Sequence, residues 1–292
     1  MYTITGATGH VGSAAAAELL RRGAPVRTVV RDPARGEAWA ARGAEVAVAD
    51  LGDGAALTAA LRGSDGAFVL LPTDETAGDA GHRALADSIA GAVGASGVGH
   101  VVVLSSVGAD LVEGTGPIRW LHHLERGLRR TGATLSVVRS AHFQEKVEDA
   151  LPAATTAGVY PVLDDDPDGP VPMVATRDVG ELVALSLLAP PQADEVVDLD
   201  GPAYSERQVA ELLGAALGRH LEVVVVPRDD RVPTLTASGV PEPFAHELVA
   251  LADAGAQGLL RPRGDRVHRC TTPLEVTLRH VVAAAVDPAP AR

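Results

Sequence analysis

From the amino terminus, short runs of β-branched residues alternate with alanine-rich stretches whose apolar positions recur at helical spacing. The runs predict strands over Thr3–Thr5, Val26–Val30, Glu45–Ala49, Ala67–Leu71, His100–Leu104 and Thr134–Val138. The stretches between them predict helices near Val11–Arg22, Pro33–Arg42, Gly54–Arg62, Gly81–Ser96 and Pro117–Arg130. Strand and helix alternating in this way describe a parallel sheet wound with crossover helices. Runs such as Val101–Leu104, apolar at every position, suit strands covered on both faces.

Past Leu151 the rhythm breaks into prolines, an acidic turn LDDDPDGP and more scattered elements. A boundary near residue 150 therefore separates a first domain, 1–150, from a smaller substrate-binding portion, 151–292, with some elements packing back on the first. Ser205 with Gln208 has the spacing of a capping box, and so has Thr272 with Pro273 and Glu275. The terminal VDPAPAR reads as a frayed end.

Between the first predicted strand and helix lies TGATGHVG, within a unit that returns to a second strand at Val26. That context turns a weak glycine pattern into a dinucleotide fingerprint of the Rossmann type. Gly6 allows a tight turn, Gly9 lets the backbone approach a pyrophosphate, and Gly12 lets the helix pack on the sheet. Thr8, His10 and Val11 complete the loop, and its helix N-terminus attracts the anion. Nucleotide choice falls at the end of the second strand, in VVRDPAR. Arg31 and Arg35, one helical turn apart, suit a 2′-phosphate, whereas Asp32 facing the ribose would favour NAD. NADP (NADPH) is the expected cofactor and NAD the less favoured one. Asp50, beside Leu51, is placed either to contact adenine or to cap the following helix. Leu71, Pro72 and Thr73, at the carboxyl edge of the fourth strand, are expected to line the cofactor cleft.

Composition narrows the function classes. At 292 residues and 46% apolar content the chain buries a full core. A formal charge of −13, with 25 basic residues among 38 acidic ones, opposes binding to nucleic-acid phosphates. The single cysteine, Cys270, excludes an internal disulfide and a CxxC metal centre, and no metal is expected. No apolar run approaches the roughly 20 residues that span a bilayer. With no basic leader before an apolar segment, the expectation is a cytoplasmic protein without membrane or nucleic-acid partners, a monomer or homodimer acting on a small molecule.

With TGATGHVG and VVRDPAR, the segments ADLGD, VVVLSSVGA, ERGLRRTGATLSVVRSAHFQE, VPMVATRDVGELVALSLL and DLDGPAYSERQVAELLGAALGR make the chain resemble the NmrA-like group of atypical short-chain dehydrogenases over almost its whole length. That group includes NADPH-dependent quinone reductases, isoflavone-reductase-type enzymes and noncatalytic redox-sensing regulators. The resemblance implies a Rossmann domain with a smaller C-terminal α/β domain and a cleft between them. It assigns Asp178 a structural role just before the helix that docks the two parts.

The departure concerns catalysis. Short-chain dehydrogenases commonly carry Tyr-x-x-x-Lys on the helix after the fifth strand, the lysine lowering the tyrosine pKa. Here Glu125 matches a family glutamate, Leu121 stands four residues earlier and Pro117 four before that. Leu121, Leu124 and Leu128 form an apolar stripe bordered by Trp120 and Glu125. His122 and His123 lie about 100° apart on its flanks. His142, in the loop that the resemblance sets beside nicotinamide and substrate, is the leading acid–base candidate, and His123 the second. Ser105 is expected on the cofactor, and Ser106, Trp120, Leu121 and Phe143 on the substrate. Lys146 stands where relatives often have Asn and is expected at the cleft rim or in solvent.

These residues imply an NADPH-dependent reductase passing hydride to a quinone, enone or similar bulky aromatic or polyketide-like acceptor, as in secondary metabolism. Such acceptors suit a site without a strong acid, because the anion formed takes its proton from water or a histidine. The alternatives are a noncatalytic NADP(H)-sensing regulator and a redox-neutral auxiliary protein.

Overall fold

A computed structural model describes residues 1–286, so residues 287–292 of the tail read as frayed lie outside the described residues. The chain begins β1 (Tyr2–Ile4), α1 (His10–Arg21), β2 (Val26–Val30), α2 (Glu37–Ala40), β3 (Glu45–Val48), α3 (Gly54–Leu61), β4 (Gly66–Val69), α4 (Gly78–Ser96), β5 (His100–Ser106), α5 (Ile118–Leu128) and β6 (Thr134–Ser140). It continues with β7 (His142–Phe143), a 3₁₀ segment over Gln144–Ala150, α6 (Leu151–Thr156), β8 (Val159–Val162), β9 (Val171–Val174) and α7 (Thr176–Leu188). The last elements are β10 (Glu195–Asp200), β11 (Ala203–Tyr204), α8 (Glu206–Leu217), β12 (Glu222–Val225), α9 (Arg231–Ala237), α10 (Glu242–Ala256), β13 (Arg266–Arg269) and α11 (Leu274–Val286).

Eight strands pair in parallel in the order β13-β10-β6-β5-β4-β1-β2-β3. Winding reverses between β1 and β4, so a crevice opens there beyond the carboxyl ends of the strands, where such sheets take ligands. Alternate residues of β5 and β6 feed opposite layers. Val102 and Val138 pack with Val11, Leu19, Val179 and Val183 under α1 and α7. Val101, Val103, Leu135 and Val137 pack with Ile89, Val93, Leu124 and Leu128 under α4 and α5.

The chain after residue 150 contributes to both bodies. Through α7, β10 and β13 it completes the large sheet and its cover. A separate core of Val147, Tyr160, Val162, Met173, Leu213, Leu274 and Leu278 holds the smaller lobe. Asp178 docks the two, its carboxylate accepting from the Thr271 and Thr272 N–H groups and from the Thr272 hydroxyl at 2.6 Å.

Two local expectations are corrected. The capping box at Ser205 forms in both directions, but the Thr272 hydroxyl is drawn to Asp178 instead of capping its own helix, which starts at Leu274. The helix expected over Pro33–Arg42 is split into a 3₁₀ turn, Pro33–Gly36, and the single turn of α2. Asp32 caps the 3₁₀ turn by accepting from the Ala34 N–H at 3.0 Å, with Pro33 in its first position.

Candidate functional site

The glycine loop joins β1 to α1 at the switch point of the sheet. Gly6 has a φ of +62°, and a Cβ there would stand 2.6 Å from Leu70. A Cβ on Gly12 would fall 2.2 Å from the Gly6 carbonyl oxygen, so both glycines are demanded by the loop's own packing. Gly9 differs. Its nearest neighbour would be 3.5 Å away, and it caps α1 without any side-chain bond or acidic residue in the first turn. The opening N–H groups of α1 therefore face the crevice free for an anion.

A cleft of about 270 Å³ is lined by Gly6, Gly9, His10, Leu70, Leu104, Phe143 and Lys146. Its far wall is the 3₁₀ segment after β7. Gln144 anchors this segment in the smaller lobe, donating to the Thr272 carbonyl and accepting from the Thr277 hydroxyl. Glu145 caps α7 by accepting from the Thr176 N–H and hydroxyl. Glu148 reaches across to His10, 3.4 Å away, and Lys146 binds Asp149 at 3.1 Å. Of these wall residues the sequence reading singles out only Lys146, at the cleft rim or in solvent; Gln144, Glu145, Glu148 and Asp149 are missed, although the cluster EKVED directly after RSAHFQ is a visible signal.

β7 pairs with β9, which sets His142 opposite Met173 and Phe143 opposite Val174. Successive strand residues point to opposite sides, so Phe143 enters the cleft and His142 leaves β7 on the other face. His142 is solvent-exposed, but protein packs around its ring and desolvates it in part. That desolvation, reinforced by the Lys146 ammonium and only partly offset by Asp149, pushes its pKa down to about 4. The ring is neutral at pH 7, and its ring N–H is then a weak acid and not an imidazolium donor.

At the other end of the crevice, Arg31 and Arg35 are exposed and form no salt bridge among the described residues. Asp32 spends one carboxylate oxygen on its turn. Asp50 accepts from the Gly52 N–H at 2.7 Å, and it is Asp53 that caps α3, through the Ala55 and Ala56 N–H groups. The capping alternative for Asp50 is thus corrected by three residues, the carboxylate nearer the helix taking the role. Leu51 and Leu71 are half-buried and Pro72 and Thr73 exposed. The loop after them is pinned by buried His82, which accepts from the Asp74 N–H at 3.1 Å and donates to the Gly78 carbonyl at 2.6 Å.

Three expected site residues serve the framework instead. The Ser105 hydroxyl donates to the buried Glu125 carboxylate at 2.6 Å. Trp120 is buried, stacked on His82 with centroids 3.6 Å apart and donating to Asp79 at 2.9 Å, because α4 and α10 close over it. His123 turns onto α4, where it meets Asp87 at 2.7 Å and Arg83 at 3.2 Å, and it does not line the cleft. Ser106 bonds the Val107 carbonyl and Leu121 is half-buried.

An all-parallel sheet in this order, with a three-glycine loop at its switch point, defines a Rossmann-type α/β protein. The model of the NmrA-like family matches residues 2–257, and the chain belongs to that family. It is 29% identical over 259 residues to an NAD(P)H azoreductase of Xenophilus azovorans, covering 86% of this chain and 87% of that one. It is 32% identical over 260 residues to a (4-alkanoyl-5-oxo-2,5-dihydrofuran-3-yl)methyl phosphate reductase of Streptomyces griseus, covering 88% of each. Among solved structures it resembles an NADPH-dependent quinone oxidoreductase from Escherichia coli in complex with NADPH, with a TM-score of 0.80 and 24% identity over 97% of this chain and all of that one. No helix among the described residues is long and apolar enough to cross a membrane.

Proposed function

We propose that this protein binds NADPH across the β1/β4 crevice and reduces a conjugated, oxygen-bearing acceptor, an enone or quinone, at the Phe143 end of the cleft. The observation that carries the reading is the open first turn of α1 beside Gly9, continuous with a cleft walled by Leu104 and Phe143. Arg31 and Arg35 would take the 2′-phosphate, the α1 N-terminus with Gly9 and His10 the diphosphate, and Asp50, Leu51, Leu71, Pro72 and Thr73 the adenosine and ribose rim. Asp32, tied to its turn, offers the ribose 2′-hydroxyl a weaker acceptor, which favours NADPH over NADH.

When bound, NADPH supplies the hydride. The chain's own residues orient the acceptor and exclude water. Phe143, Leu70 and Leu104 give the cleft its apolar walls, and Ser106 and Leu121 are not among its lining residues. His142, which leaves β7 on the face opposite Phe143 and does not line the cleft, takes no direct part in holding the acceptor. The named relatives support a reductase, and the Streptomyces griseus protein reduces a ring whose double bond is conjugated to carbonyl groups.

NADPH oxidation followed at 340 nm against quinones and cyclic enones tests the reading. Turnover with either class, and slower turnover with NADH, is expected. Tight NADPH binding without turnover across the panel would leave the redox-sensing alternative standing.

A further inference from the structure

Lys146 is the chain's only lysine. It is also the one ammonium or guanidinium group lining the cleft among the described residues. It lines the same cleft as Phe143, which stands three residues before it in the chain. Its segment is clamped on both sides, by Gln144 in the smaller lobe and by Glu145 on α7, so the ammonium is delivered from a fixed base. The carboxylates beside it are already engaged. Glu145 caps α7, Glu148 faces His10, and Asp149 holds Lys146 through one of its three N–H bonds. The lysine side chain keeps 59% of its surface exposed, so its remaining donors are open to a ligand.

We propose that Lys146 is a catalytic residue of the reductase reaction, binding the acceptor oxygen on which negative charge gathers. The inference rests on the reductase reading above. In the step it assists, the hydride carries two electrons from the dihydronicotinamide carbon to the β-carbon of an enone. A C–H bond breaks on the donor and one forms on the acceptor. The C=C pair shifts to a new C=C, the carbonyl pair moves onto oxygen, and the enolate oxygen is held by Lys146 until carbon takes a proton from water. NADP⁺ is left. The ammonium thus does the work that no tyrosine is present on α5 to do, and it selects acceptors that become oxyanions.

The test uses the full chain loaded with NADP⁺ and 4-nitrophenol as an oxyanion probe, read by its absorbance, so that it does not depend on turnover. The wild type is expected to bind the yellow phenolate, and Lys146→Met the colourless phenol, with Lys146→Arg restoring the phenolate. The kcat with an enone or quinone is expected to fall roughly 100-fold in Lys146→Met with NADPH affinity unchanged. Absence of nitrophenol binding, or identical spectra in wild type and Lys146→Met, overturns the assignment of Lys146 alone. Failure of the wild type to bind NADP⁺ or NADPH overturns the reductase reading, and this role with it.

Discussion

The guanidinium of Arg139 forks onto the carboxylate of Glu125, Nε to Oε1 at 2.9 Å and the terminal nitrogen to Oε2 at 2.7 Å, inside the layer between α5 and the sheet. Glu125 is 3% and Arg139 6% exposed, and Ser105 adds a third bond to the same carboxylate. On the helix where short-chain dehydrogenases place catalytic groups, this chain has spent its acid on the framework. Removing one partner strands the other charge in the core, which costs about 3–5 kcal/mol. Glu125→Gln and Arg139→Met should each lower the urea midpoint sharply, and combining Glu125→Leu with Arg139→Met should recover much of the loss. NADPH affinity of the protein that remains folded should be unchanged.

Gly9 and Gly12 separate binding from folding. A methyl at Gly12 meets the Gly6 carbonyl at 2.2 Å, whereas at Gly9 the nearest atom is 3.5 Å away. Gly12→Ala should destabilise by about 1–3 kcal/mol through overpacking. Gly9→Ala should cost less than about 1 kcal/mol, the scale of a lost cap, while obstructing the diphosphate. Thermal melts paired with NADPH titration check both: a Gly9→Ala protein that melts normally and binds NADPH as the wild type does would contradict the assignment of the loop.

The large sheet was legible because its strands are β-branched runs at regular intervals; Val26–Val30 was placed to the residue. The smaller lobe was not, because β7 and β11 are two-residue strands that exist only through long-range pairing with β9. The same limit explains the site. Helical periodicity correctly turned Leu124 and Leu128 inward but says nothing about what meets them, so Trp120 was assigned to substrate although His82, 38 positions earlier in the chain, stacks on it. Ser105 was read from its strand end alone, and its partner Glu125 arrives from another element. The demand for glycine at positions 6 and 12 is legible because the turn and the packing that impose it are local.

His142 gives the chain a pH signature. Its folded pKa of about 4 lies below the 6.5 of an unperturbed imidazole, so between those values the unfolded chain holds a proton that the folded chain does not. Stability from this group is complete above pH 6.5 and is lost as pH falls toward 4. His142→Gln should flatten the stability slope across that window, measured by urea unfolding at half-unit steps. ¹H–¹⁵N NMR should show the His142 ring neutral at pH 6, and Lys146→Met should raise its pKa by removing a like charge. A ring already protonated at pH 6 would contradict the lowered pKa and the slope that follows from it.

Arg31 and Arg35 test the choice of nucleotide. Both are exposed beyond the carboxyl end of β2, and neither is held by a carboxylate among the described residues, so neither has a structural bond to lose. Replacing either should leave the melting temperature within a degree or two. A charge-assisted bond to a phosphate contributes about 1.5–3 kcal/mol, which is roughly a 10- to 150-fold change in affinity. Arg31→Ala should therefore weaken NADPH by that factor and leave NADH nearly unaffected, with Arg35→Ala acting in the same direction but less. Calorimetric titration of each variant with both nucleotides reads the ratio directly, and equal losses for NADPH and NADH would place these guanidiniums elsewhere than on the 2′-phosphate. Asp32→Ala supplies the complementary case. Its carboxylate caps the turn that carries Arg35, so its removal should loosen that turn and weaken NADPH. If Asp32 instead held the ribose, the same change would weaken NADH.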